Sequence, residues 1–258
     1  MPGPFVAIGR RLARFPWITT LGPRPNLLDY PPEHLALIRR ASTVYYPTGA
    51  LAVELAVTGQ RIFPSLACHL LEGDKIRQTS LFNLLGLPHP RTRVYYGRQR
   101  SQVLDDFDFP FIAKTPRGSA LGRGVFLIQD EAGLAAYLDR HDPAYLQEYL
   151  PVTEEVRVVL VGYEVLCAYR RLAAVGEFRA NLARGGDLDF EGVPPAAVDL
   201  AARLAREASL DEVGVDVALA HGQPYLLEFN VKYGWEGPKR VGIDPAEYVA
   251  ERIREGRL

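Results

Sequence analysis

The sequence is poor in cysteine and lysine, lacks any long apolar run, and carries no excess charge of one sign. Only Cys68 and Cys167 bear thiols among 258 residues. That is too few for a disulfide framework or a thiolate metal site, so both are expected to be small buried hydrophobes in a cytoplasmic protein. No run of about 18 apolar residues occurs, as a spanning helix needs, and Phe5-Val6-Ala7-Ile8 is cut short by Arg10 and Arg11. Neither a secretory segment nor a membrane span is expected, and Pro2 stands where a myristoylated chain needs glycine. Thirty basic residues against 31 acidic ones leave a net charge of −1. No global field holds nucleic acid or an anionic membrane, so any anion binding must be local.

What is present is a globular composition, 48% hydrophobic and 24% charged, with enough apolar material for two or three lobes. The basic residues are twenty-six arginines and four lysines: Lys75, Lys114, Lys232 and Lys239. Such a bias is what a GC-rich genome gives, but it makes each remaining lysine a candidate for a place where a compact ammonium is needed rather than a planar fork.

Residues 1–70 read as a small α/β lobe, with helices near 33–40 and 51–58 and a strand near 43–46. Asp74 is placed to N-cap a helix whose Ile76, Leu81, Leu84 and Leu85 fall near one face, ended by Gly86 and Pro88. A strand at 92–96 follows. From Phe109 the order becomes strand, glycine-rich loop (118–124), strand (125–128), and a short helix carrying Leu134, Tyr137 and Leu138. After a segment at 144–150, β-branched runs at 156–161 and 165–169, joined across Gly162, predict a hairpin. Ala197, Leu200, Ala201, Leu204, Ala205 and Ala208 repeat at helical spacing. Strands at 213–219 and 225–230 form a last hairpin, and Asp244 or Pro245 opens a C-terminal helix with Tyr248, Val249 and Ile253 inward. The fold class is α+β with much antiparallel sheet.

On the last hairpin Glu228 and Asn230 share a face, being two apart in a strand. A three-residue turn at 221–223 sets Asp216 directly opposite Glu228. Side-by-side carboxylates repel unless a cation intervenes, and an oxygen set of Asp216, Glu228 and Asn230 suits Mg, which fills its shell with phosphates and water. A register two residues off would instead leave the acids solvated on an exposed face. If the pair is repulsive, removing Glu228 should leave the metal-free fold intact or steadier.

Gly118-Ser119-Ala-Leu-Gly122-Arg-Gly124 follows a strand that ends in Lys114. Backbone N–H groups of such a loop can approach phosphate oxygens while the lysine neutralises them. By itself this is a common surface turn. No G-x-x-x-x-G-K-[ST] occurs, no G-x-G-x-x-G opens a helix after a first strand, and H-R-D and D-F-G are missing.

Taken in order, Asp74-Lys75, Phe111-Ile-Ala-Lys114, 118–124 with Val125, Gln147-Glu-Tyr-Leu150, Glu155-Val-Arg157, Gly176-Glu-Phe-Arg-Ala-Asn-Leu182 with Arg184-Gly-Gly186, Gly214-Val-Asp216 and Leu227-Glu-Phe-Asn230 resemble the ATP-grasp superfamily, and within it the RimK-type amino-acid ligases. The resemblance implies ATP clamped between two antiparallel-sheet lobes. It also implies a reduced N-terminal α/β lobe (1–72) and an ATP-grasp domain (73–258) with a nucleotide part near 107–150 and a metal part near 151–258. It implies that Lys75, Lys114 and the loop residues Gly118, Ser119, Gly122 and Gly124 meet the phosphates, with Gln147, Glu148, Tyr149 and Leu150 on the adenine side. Glu155 would lie near the ribose, Asn181 near the triphosphate, and Arg179 and Arg171 at an acyl phosphate. Asp216, Glu228 and Asn230 would be the Mg ligands, for two ions, with Mn as a substitute.

The reaction so implied joins a carboxylate to an amine on a small molecule or peptide, with glutamate one candidate amino acid. Two other classes remain: an ATP-grasp kinase acting on a hydroxyl, and an ATP-binding pseudoenzyme. Only one of Arg170 and Arg171 can face inward on a strand. Glu155 stands where the family usually has aspartate, and Asn230-Val-Lys-Tyr-Gly234-Trp235-Glu236-Gly237 replaces the usual Asn-x-x-Pro-Gly. The resemblance leaves room for a homo-oligomer, whose interface no stretch of sequence marks.

Overall fold

The structure, a computed structural model, describes residues 4–118, 124–172 and 187–258. Three sheets follow one another along the chain. The first is parallel, built from β1 (Val6–Ala7), β2 (Thr19–Thr20), β3 (Val44–Tyr45) and β4 (Ile62–Phe63) in the order β2-β1-β3-β4, with α1 (Pro32–Arg40) and α2 (Gly49–Val57). Val6, Ile8, Val44, Ile38, Leu51 and Leu55 fill its core. Two helices then lead out of this lobe, α3 (Leu66–Leu71) and α4 (Lys75–Leu84), the second N-capped by Asp74, which accepts from the Arg77 N–H.

The second sheet is antiparallel. It contains β5 (Thr92–Tyr95), then, after the short α5 (Val103–Asp106), β6 (Phe111–Lys114) and β7 (Val125–Ile128); α6 (Glu131–Leu138) leads to β8 (Ala144–Glu148), and the order is β5-β8-β6-β7. Five residues later the chain enters the third sheet, made of β9 (Glu154–Val161), β10 (Glu164–Leu172), β11 (Asp187–Asp189), β12 (Glu212–Ala220) and β13 (Gln223–Asn230), with α7 (Pro195–Glu207) between β11 and β12. Its order is β11-β10-β9-β12-β13, antiparallel throughout. The short α8 (Glu236–Arg240) and α9 (Pro245–Arg254) close the chain.

The third sheet is buried on both faces, and its period-2 alternation sorts them. Val156, Val158 and Leu160 of β9, with Val213, Val215 and Val217 of β12, pack on Ala197, Leu200, Ala201, Leu204 and Ala205 of α7, the helical face the spacing predicts. On the opposite face Val159, Val161, Cys167 and Tyr169 meet Val249 and Ile253 of α9 together with Ala7, Leu12 and Tyr45 of the first lobe. Both cysteines are free and buried, as expected of small hydrophobes.

Two expectations are corrected. The inward face of α4 is Lys75, Gln78 and Phe82, with Leu81 and Leu85 packing partly buried against the same core, whereas Leu84 is 83% exposed; the first turn meets a polar cleft, which hydrophobic spacing alone does not show. The last hairpin turns in two residues, not three: Ala220 pairs with Gln223, and His221 and Gly222 take φ of 51° and 74°, the left-handed pair a type I′ turn requires. A β-bulge between Asp216 and Val217 then shifts the register by one. Turn and bulge together still pair Asp216 with Glu228.

Candidate active site

One transverse row crosses four strands of the third sheet: Tyr169 on β10 pairs with Arg157 on β9, Arg157 with Asp216 on β12, and Asp216 with Glu228 on β13. Because paired residues point to the same face, these four side chains stand in line. The adjacent rows add Asn230 beside Glu228, and Glu155 opposite Arg171. Sequence reasoning placed a free cation between the two acids; in the structure side-chain cations answer each of them. Arg157 grips Asp216 with both Nε and Nη2, and Arg171 Nη1 stands 3.3 Å from Asp216 Oδ1. Lys75 Nζ lies 3.1 Å from Glu228 Oε2. Burial alone would push the Asp216 carboxyl up, but the guanidinium groups of Arg157 and Arg171, with Lys114, hold it below the usual carboxylate range.

Lys114, at the end of β6, reaches the same cleft from the second sheet. It is 6% exposed, and its ammonium senses Glu228, Lys75, Glu155 and Asp216. Desolvation dominates and lowers its pKa to about 8, with the neighbouring Lys75 adding to the drop and the carboxylates opposing it. Tyr137 Oη donates to the Lys114 carbonyl at 2.7 Å and pins the strand end. Of the four lysines, Lys75 and Lys114 are thus buried, while the Lys232 side chain is 84% exposed.

Arg171 is the inward member of its pair, donating to Glu155 Oε1 at 2.8 Å, whereas Arg170 turns to Asp189 and Glu154. Burial raises the Glu155 pKa against the pull of Arg171. The glycine segment is clipped at both ends. Thr115 N–H donates to the Gly124 carbonyl at 2.7 Å and Gly118 N–H to the Gly73 carbonyl at 3.3 Å, Gly118 taking a φ of +67°. Ser119, Gly122, Arg179 and Asn181 lie outside the described residues. Gln147 and Glu148 close the end of β8: Gln147 Nε2 donates to Thr92 Oγ1 at 2.9 Å, and Glu148 Oε1 accepts from the Arg91 N–H at 2.5 Å. Tyr149 and Leu150 open the five-residue crossing between the two antiparallel sheets, and Tyr149 is 45% exposed.

The donor set fits a small hard cation. Glu228 and Asn230 sit together, the Asn230 amide 3.4 Å from Glu228 Oε1, and Asp216 is opposite. Each carboxylate oxygen has two lone pairs, so the Arg157 fork leaves acceptor capacity on Asp216. Among the described residues no group of three or more His, Cys, Asp or Glu gathers.

Sequence reasoning missed Arg157 as a site residue, although Glu155-Val-Arg157 in a strand already puts it on the Glu155 face. It also missed the anchor of the segment after Asn230. Arg157 Nη1 donates to the Tyr233 carbonyl at 3.1 Å, and Tyr233 Oη donates to the fully buried Glu212 at 3.2 Å. Arg11 and Tyr46 of the first lobe meet the same Glu212 oxygen, and burial lifts that carboxyl to about 7. No spacing rule links positions 11, 46, 212 and 233.

The sequence matches the RimK-like ATP-grasp domain over residues 72–253, well over half of the chain. A ribosomal protein bS6–L-glutamate ligase of Escherichia coli O139:H28 is 31% identical over 226 residues, covering 83% of this chain and 75% of the relative. Among solved structures, a RimK domain ATP-grasp protein from Sphaerobacter thermophilus superposes with a TM-score of 0.70 at 18% identity, over 95% of this chain and 97% of that one. D-alanine–D-alanine ligase from Bacillus anthracis reaches 0.66 at 13% identity, over 92% and 85%. No helix among the described residues is long and apolar enough to cross a membrane. The two antiparallel sheets facing one cleft are those of an ATP-grasp fold, and the chain belongs to the RimK-like ATP-grasp family of ATP-dependent ligases.

Proposed function

We propose that the protein joins a carboxylate to an amine through an acyl-phosphate intermediate, using ATP and Mg, on a peptide or small-molecule acceptor in the cytoplasm. The observation that carries this reading is the convergence of two buried lysines, from α4 and β6, on the carboxylate row of the third sheet. Residues 73–258 form the catalytic domain in this reading.

Lys75 and Lys114 neutralise the triphosphate, and phosphate oxygens compete with Glu228 for Lys75. Glu228, Asn230 and Asp216 would hold Mg, in one or two ions and with Mn as a substitute. A metal held there would offset charge on the phosphoryl group in transfer. The acceptor carboxylate oxygen forms a bond to the γ-phosphorus as the bond to ADP breaks. The amine nitrogen then adds to the acyl carbon, the carbon–oxygen bond to phosphate breaks, and the amine proton passes to the departing phosphate or to water. Arg171, held between Glu155 and Asp216, keeps its charge in this cleft and stabilises the acyl phosphate, with Arg179 and Asn181 as further candidates.

The test is product analysis. With Mg-ATP, pooled peptides and carboxylic acids, and single amino acids beginning with glutamate, the product should gain one amino-acid residue per ADP formed. A phosphorylated product without an amide would favour a kinase.

Lys114 adds a pH prediction. Its folded pKa of about 8 lies below the ordinary lysine value of about 10.4. Between these values the folded chain has lost a proton that the unfolded chain keeps, so this group makes the nucleotide-free protein more stable as pH rises through the window. ATP needs the ammonium, so calorimetric ATP affinity should fall as pH rises past about 8. Lys114→Arg should flatten that fall, and Lys114→Ala should weaken binding throughout. Unchanged binding in Lys114→Ala would move the phosphate site elsewhere.

A further inference from the structure

Three buried residues of α4 all address one strand. Lys75, Gln78 and Phe82 lie three and four apart and so share a helix face. Lys75 meets the Glu228 carboxylate, and Phe82 packs on the Phe229 ring, centroids 6.1 Å apart. Between them Gln78, 2% exposed, clamps the Phe229 backbone: its Nε2 donates to the Phe229 carbonyl at 2.9 Å and its Oε1 accepts from the Phe229 N–H at 3.1 Å. A third bond, Nε2 to the Leu71 carbonyl at 3.0 Å, locks the amide orientation.

The place of this clamp gives it a task. β13 is an edge strand of the third sheet, so its outward backbone groups have no strand partner. Phe229 turns its N–H and C=O outward, and in an antiparallel ladder its two neighbours turn theirs inward, toward β12. Those neighbours are Glu228 and Asn230. A free edge next to a bulge is poorly fixed, and a shift of a few tenths of an ångström in Phe229 moves both side chains together.

The same helix is fastened to the opposite side of the cleft. Lys75 N–H donates to the Pro116 carbonyl at 3.0 Å, Arg117 Nε to Asp74 at 2.7 Å, and Thr79 Oγ1 lies 2.5 Å from Tyr145 Oη on β8. The clamp therefore registers the strand of Glu228 and Asn230 against the phosphate side of the cleft.

We propose that Gln78 is a positioning residue: its amide, by pairing the Phe229 backbone, sets the spacing of Glu228 and Asn230 for a divalent cation. This rests on the metal reading given above.

The test is Gln78→Met, which keeps length and removes every hydrogen bond. The half-saturating Mg concentration for ADP formation should rise about tenfold or more, the range found when a group supporting a metal ligand is removed. At saturating Mg, kcat and the KM for ATP should stay within about threefold, less than a group touching the reacting atoms would cost. In the metal-free protein the Phe229 amide should exchange with deuterium at least about tenfold faster, a loss of protection confined to the edge strand. A uniform fall in kcat with unchanged Mg dependence, or unchanged Phe229 exchange, overturns the proposal.

Should Gln78→Met not fold, Gln78→Glu keeps the acceptor for the Phe229 N–H and loses the amide donors. Of the two Nε2 bonds then lost, only the one to the Phe229 carbonyl touches the strand; a rise of about threefold in half-saturating Mg, that bond's worth, supports the proposal, and none overturns it. Glu228→Gln is measured beside them. If it abolishes Mg dependence while Gln78→Met does not move it, positioning fails and the metal reading stands. If wild-type turnover needs no divalent cation, both fail.

Discussion

Glu228→Ala is expected to lower Mg-dependent ADP formation by about a hundredfold or more, the cost of removing one electrostatic stabiliser of a transferred group. The stability effect reverses the expectation drawn from sequence. A repulsive Asp216–Glu228 pair would make the metal-free variant steadier. The structure instead pairs Asp216 with Arg157 and Glu228 with Lys75, so little repulsion is left to relieve. Deleting Glu228 removes the carboxylate 3.1 Å from the Lys75 ammonium, whose side chain is 8% exposed and which lies close to the buried Lys114. Breaking a fully buried pair costs about 3–5 kcal/mol. With the Glu228 side chain 28% exposed, solvent screening reduces that to about 1–2 kcal/mol. Calorimetric unfolding without metal checks the sign, and a higher melting temperature than wild type would contradict the pairing.

Arg157→Met is expected to be the most destabilising single change in the site. Arg157 is 5% exposed and Asp216 3% exposed, and the fork between them is the main answer to the buried Asp216 charge. Removing it leaves the buried Asp216 carboxylate to Arg171, whose Nη1 stands 3.3 Å from Oδ1, so the cost should lie near the low end, about 3 kcal/mol, of breaking a buried pair. Without the Arg157 guanidinium, burial is opposed by Arg171 and Lys114 with less positive charge than before, so the Asp216 carboxyl moves upward from its wild-type position and the penalty should shrink as pH falls and the acid is protonated. The same change frees the Tyr233 carbonyl and loosens the segment after Asn230. Arg157→Met/Asp216→Leu should recover much of the stability, because an apolar pair replaces a buried ionic one at little cost, yet remain inactive. Denaturant titrations of the single and double variants at pH 5 and 8 give the answer, and an unperturbed single variant would mean that the Arg157 fork is not what holds the Asp216 charge.

The sequence made the strands around the site legible because each is an apolar alternation with one polar position out of pattern. Asp216 interrupts Val213, Val215 and Val217, and Glu228 and Asn230 flank Phe229. Strand period then fixed their shared face, and for Arg171 over Arg170 the same parity left one choice that packing decided. The Asp216–Glu228 pairing came from a three-residue turn, whereas the chain uses a type I′ turn and a bulge. Two one-residue differences cancelled, and nothing in the local sequence announces a bulge. The α4 face was legible only in part: Leu81 and Leu85 do pack against the core that holds Phe82, but the fully inward residues are a lysine, a glutamine and a phenylalanine, because the helix lines the polar cleft at its start and the apolar core at its end. Partnerships across 59 residues, as between Arg157 and Asp216, or 151, as between Gln78 and Phe229, follow from sheet order, which spacing does not encode.

The central claim, that this cleft makes an acyl phosphate, is tested most directly with hydroxylamine as a generic amine. Mg-ATP, pooled carboxylic acids and hydroxylamine should give ADP and an acyl hydroxamate in equal amounts, identified by mass, and Lys114→Ala and Glu228→Ala should lower both together. ADP formed without hydroxamate, or hydroxamate formed as readily by Glu228→Ala, would contradict the account.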